Sequence, residues 1–68
     1  MANRNEFQTG DRVRVRTFGG DWVERIVVAV EHGKVFVSTS QGFAALMRGE
    51  ASADIGFPMR DVEQAATT

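Results

Sequence analysis

Arg12-Val13-Arg14-Val15-Arg16 alternates charged and apolar residues without a break. Successive side chains of an extended strand point to opposite faces, so this run puts three arginines on one side and two valines on the other. It reads as a half-buried strand with a cationic outer stripe, and it decides the fold class: a sheet with one face for a core and one for water. Thr9-Gly10-Asp11 ahead of it is a turn signal. Phe18-Gly19-Gly20-Asp21 behind it is a loop, whose two glycines reach backbone angles closed to other residues.

The second strand is expected from Trp22 to Val30. Trp22, Glu24, Ile26, Val28 and Val30 share one parity, and Val23, Arg25, Val27 and Ala29 the other. Both parities become apolar after Arg25, the pattern of a long, curved strand that changes neighbours midway. Glu31-His32-Gly33-Lys34 is a tight hairpin turn with Gly33 at positive φ. A third strand follows over Val35 to Thr39. The period then switches: Phe43, Leu46 and Met47 make one helical stripe, with Ser40 as N-cap and Gly49 as the stop. Ile55-Gly56-Phe57-Pro58 is a fourth short strand ended by its proline. Met59-Arg60-Asp61-Val62 is one 3₁₀ turn into a last strand near Val62-Glu63. The expected core is Val13, Val15, Ile26, Val28, Val35, Val37, Phe43, Leu46, Ile55, Phe57 and Val62.

Several short strands, one tight hairpin and a single short helix favour a small barrel over an open α/β sheet. The 68 residues suffice for one small domain, near the lower size at which a single core is adequate. We expect a flexible arm at 1–8, a packed domain at 9–64 and a flexible tail at 65–68. No cysteine is present, which removes disulfides, thiolate ligands and thiol nucleophiles, and fits a cytoplasmic location. Eight basic and nine acidic residues give a formal charge of −1, so the chain as a whole does not attract polyanions. No apolar run is long enough to span a bilayer, so no membrane association is expected, and the first six residues hold no apolar leader, so secretion is not expected either.

The chain resembles the SH3-like barrel superfamily, on Gly10-Asp11-Arg12-Val13 opening the first strand, Trp22 after a glycine loop, and Gly56-Phe57-Pro58-Met59-Arg60-Asp61-Val62 near the end. A Phe-Pro-x-x-Asp-Val close, and before it a helix like Phe43-Ala44-Ala45-Leu46, recur in small bacterial barrels of this type, many without an assigned function. The resemblance covers about residues 9–64 and implies a mainly β, five-stranded SH3-like barrel with one short helix between the third and fourth strands. The plasmid-type (type II) dihydrofolate reductases are also similar, over Gly10-Asp11-Arg12-Val13-Arg14, Trp22 and Ile26-Val27. Those tetrameric barrels build an active-site pore from a Val-Gln-Ile-Tyr motif before a proline. Aligned on Pro58, this chain has Asp54, Ile55, Gly56 and Phe57 there. It therefore lacks the polar groups that would hold folate and nicotinamide.

The residues offer little catalytic chemistry. His32 is the only histidine and falls in a turn, short of the two or more convergent ligands a metal needs. Asp11, Asp21, Asp54 and Asp61 fall in loops and turns, where aspartate bonds its own backbone. No nucleophile–base pair is supported, and Gly19-Gly20 lacks the lysine of a phosphate loop. No enzyme activity and no cofactor are expected. Two binding surfaces are candidates. Arg12, Arg14 and Arg16 have the spacing to contact phosphates, with Phe18 and Trp22 as stacking platforms for nucleic acid. Cross-strand pairing with Glu24, helped by Asp21 and Glu31, would neutralise that stripe. Phe18 and Trp22 at the glycine loop also suit a protein-binding groove, while the plainer reading of Trp22 is that it caps the barrel end. Phe7 either packs on the barrel or makes a homotypic contact, and Met47 and Met59 are further contact candidates. The expectation is a small interaction module, protein-binding or self-associating as a homo-oligomer, with nucleic-acid binding as the alternative and a dihydrofolate-reductase-like pore enzyme as a remote third.

Overall fold

The computed structural model describes residues 7–65. Its elements are β1 (Arg12–Arg16), β2 (Trp22–Glu31), β3 (Lys34–Ser38), α1 (Ser40–Met47), β4 (Ile55–Pro58), a 3₁₀ turn (Met59–Asp61) and β5 (Val62–Gln64). All ladders are antiparallel, in the order β4-β3-β2-β1-β5. β4 and β5 are the two edges, and no ladder joins them among the described residues. The fold is mainly β: one five-stranded sheet with a single short helix. No described helix is long and apolar enough to cross a membrane. The arm expected at 1–8 and the tail at 65–68 lie outside the described residues, apart from Phe7, Gln8 and Ala65.

β1 behaves as its alternation requires, with Val13 and Val15 fully buried and all three arginines exposed. β2 pairs with β1 through Ile26 and with β3 from Ile26 onward, so it does change neighbours midway. Its inward parity, however, is the reverse of the expected one. Directly opposed residues share a face, and Val13 lies opposite Arg25 and Val15 opposite Val23. Val23, Arg25 and Val27 therefore share the core side, while Ile26 lies on the arginine side. The β2–β3 register then slips between Val27 and Ala29, which brings Val30 opposite the buried Val35. This bulge moves the apolar set from one parity to the other, the physical reason both look apolar beyond Arg25. Val27 is fully buried, whereas Ile26 and Val28, expected in the core, are half-exposed.

Val27 is also held from the β1 side. It accepts the Gly10 N–H and donates to the Asp11 carbonyl, both at 2.9 Å. One β2 residue thus opposes two of the incoming chain, an arrangement that uses the positive φ of Gly10 (96°). Asp11 closes the preceding turn by accepting from Gln8 N–H at 2.9 Å. At the hairpin, His32 (φ 52°) and Gly33 (φ 77°) both have the positive φ that a two-residue type I′ turn demands.

The helix starts one residue earlier than expected. Thr39, still extended, accepts the Gly42 N–H on Oγ1 at 3.0 Å, while Ser40 is already helical and so cannot be the cap. Gly49 (φ 82°) stops it as expected. Phe43 and Leu46 are only half-buried where α1 packs on β2 and β3, and Met47 is exposed. Ile55 also departs from the expected core. It stands opposite Val37 on the inward side, but β4 is an edge and leaves it 63 % exposed. The core is Phe7, Val13, Val15, Val27, Val35, Val37 and Val62, with Val23, Val30, Phe57 and Met59 packed against it. Phe7 thus takes the first of its two readings and packs inside.

Candidate functional site

Arg12, Arg14 and Arg16 share one exposed face, as the alternation requires. β1 lies between β2 and β5, and of the three arginines Arg14 has a ladder partner on both sides. Arg14 stands opposite Glu24 on β2 and Glu63 on β5. Its guanidinium meets Glu63, with Nη2 2.7 Å from Oε1, and Arg16 Nη2 lies 3.6 Å from Asp61 Oδ1. The stripe is therefore partly neutralised, with the C-terminal turn and strand supplying the acids in place of the expected Glu24. Such half-exposed pairs contribute roughly 0.2–1 kcal/mol each, so they matter here for the field they cancel more than for stability. Arg12 alone of the three has no described carboxylate within ion-pair distance.

Trp22 stands opposite Arg16 and is 42 % exposed, at one end of the arginine face. Phe18, at the tip of the loop closed by the Gly20 N–H to Thr17 carbonyl bond, is fully exposed. His32 lies in the hairpin turn, and no group of three or more His, Cys, Asp or Glu among the described residues is placed to hold a metal.

The inner side of the sheet adds a feature that strand patterns did not reveal. A groove of about 360 Å³ is walled by Val15, Thr17, Val23, Arg25, Val37, Ser38, Thr39, Ser52, Ala53, Ile55 and Phe57. β1 and β2 supply one wall, and β3, β4 and the segment leading to β4 supply the other. The wall between strand and segment is tied by Ser38 Oγ, which donates to the Ala53 carbonyl at 3.1 Å. Arg25 was read as a residue of a curving strand, but the β1–β2 register puts it on the core side beside valines. It donates from Nη1 to the Glu24 carbonyl at 2.6 Å and has no described carboxylate within ion-pair distance. A smaller depression of about 190 Å³, over Arg12, Glu24, Ile26 and Ser40, also touches Arg25. The signal for Arg25 was its interruption of an otherwise apolar parity between Val23 and Val27. Comparison of the chain with protein-family models, curated proteins and solved structures finds no match.

Proposed function

We propose that the chain is a non-catalytic interaction module on an SH3-like barrel framework, contacting another protein or a second copy of itself. The sheet order β4-β3-β2-β1-β5, the ten-residue β2 shared between two neighbours, and the 3₁₀ turn before β5 support the barrel reading. The exposed aromatic pair carries the functional reading: Phe18 fully exposed at a loop tip, with Trp22 four residues on and 42 % exposed. Aromatic side chains give the most contact energy per residue at protein interfaces, and here two stand exposed at one loop, with Trp22 at an end of the arginine face. Nucleic-acid contact through Arg12, Arg14 and Arg16 is the weaker reading, because Glu63 and Asp61 already sit against Arg14 and Arg16.

Light scattering across a concentration series, followed by photo-crosslinking from a benzophenone placed at the exposed position 21 between the two aromatics, tests the proposal. The expected result is either a concentration-dependent dimer or a discrete crosslinked partner, each lost in the Phe18→Ser, Trp22→Ser double variant. A strict monomer that crosslinks to nothing overturns it. So does tight, salt-sensitive binding of a labelled oligonucleotide that disappears when the three arginines become alanine.

A further inference from the structure

The geometry points to the inner groove as a docking site for an extended, acidic–aliphatic peptide segment of a protein partner, its carboxylate against Arg25. This rests on the interaction-module reading and names the chemistry of the partner. Not one of the groove's lining residues is acidic, and Arg25 is its only charge. A guanidinium has five donors, and among the described residues the one hydrogen bond of Arg25 goes to a backbone carbonyl, that of Glu24 at 2.6 Å. Arg25 sits half-buried on the valine side of the sheet with donors left over, so a carboxylate on a ligand completes an arrangement the described residues leave open.

The same lining includes Val23, Val37 and Phe57, which take an aliphatic side chain next to the acid. The rim selects between a free small molecule and a chain. Small-molecule sites enclose most of the ligand surface, whereas here one lining residue, Ile55, stands 63 % exposed on the edge strand β4, so the groove opens to solvent on that side. That shape suits a polypeptide crossing it, anchored at two adjacent side chains.

Amide chemical shifts of the full chain, titrated with capped heptapeptides centred on Leu-Asp-Leu or Leu-Asn-Leu, test this. Saturable shifts are expected around Thr17, Val23 to Arg25, Ser38 and Ser52 to Phe57 with the aspartate peptide, with binding about tenfold weaker for the asparagine peptide. Arg25→Gln should remove that preference, and Arg25→Lys should keep most of it. If Arg25→Gln fails to fold, the lysine variant and the peptide pair still decide the matter. Equal binding of both peptides, no shifts with either, or the same shifts produced by a short oligothymidylate overturn the proposal. Shifts confined to Phe18 and Trp22 also overturn it while leaving the interaction-module reading intact. Failure of that reading shows separately, as a monomer without crosslinks.

Discussion

Gly42 occupies the first turn of α1, where a glycine costs about 0.5–1 kcal/mol relative to alanine in a free helix. Its surroundings reverse that preference. A Cβ built there collides with Ser38 Oγ and comes within 2.7 Å of Ser52 Oγ and 3.3 Å of Thr39 Oγ1. Ser38 is buried and its hydroxyl donates to Ala53, so turning it away strands a buried polar group and loosens the groove wall. Thr39 Oγ1 is held as the helix cap. Gly42→Ala is therefore expected to destabilise the protein by about 1–3 kcal/mol, despite its better helix propensity. A urea midpoint that falls confirms this; one that rises shows that the hydroxyls yield and propensity wins. The same close approach was not legible in the chain, because it joins positions 38, 42 and 52 through tertiary packing. The arginine stripe divides in the same way. Alternation alone placed three guanidinium groups on one face, but the acids that meet two of them come from 61 and 63, far along the chain.

Most element boundaries that local chemistry sets were legible, namely the hairpin at His32-Gly33, the stop at Gly49, and Pro58 before the 3₁₀ turn. The helix cap was not, since Thr39 and Ser40 both offer a hydroxyl and only the backbone decides between them. Facing was legible in β1 and not in β2, because periodicity of two assumes an unbroken ladder and β2 carries a bulge. Beyond Arg25 both parities are aliphatic, so only the register with β1 decides which set is inside. That decision has a measurable consequence for adjacent valines. Val27 is fully buried, so Val27→Ala should cost about 2 kcal/mol from lost burial and the cavity left behind. Val28, outside the ladder register at the bulge and half-exposed, should cost less than about 1 kcal/mol as alanine. Denaturant unfolding of the two variants compares them directly. Equal losses, or a larger loss at Val28, would contradict the observed register. Arg25 follows from the same register, which is why the groove's one charge emerged only with the fold.

At the scale of the whole molecule, the core is small and mostly valine, with Val13, Val15, Val27 and Val35 its largest fully buried side chains. A chain of 68 residues has little stability in reserve, on the order of 5 kcal/mol for a single core of this size. The two ends of the described chain supply part of that core: Phe7 from before β1, and Val62 and Ala65 from β5 and just beyond, where the Ala65 N–H donates to the Arg12 carbonyl at 3.0 Å. β1 is thereby gripped by chain segments some 50 positions apart, and the sheet depends on both. Phe7 was hard to place from pattern, since it stands alone among polar neighbours, and one apolar residue has no period. It is nonetheless the only aromatic side chain among the buried residues of the core. Phe7→Ala removes about 3 kcal/mol or more by the usual cost of emptying a buried phenylalanine site, a large share of the total. For a domain this size that corresponds to a fall in Tm of about 12 °C or more. Phe7→Leu, which refills most of the volume, should recover at least half of the loss. Thermal unfolding followed by circular dichroism measures both variants. A Phe7→Ala melting curve within about 3 °C of the parent would mean that residues 12–64 hold the sheet without their N-terminal anchor.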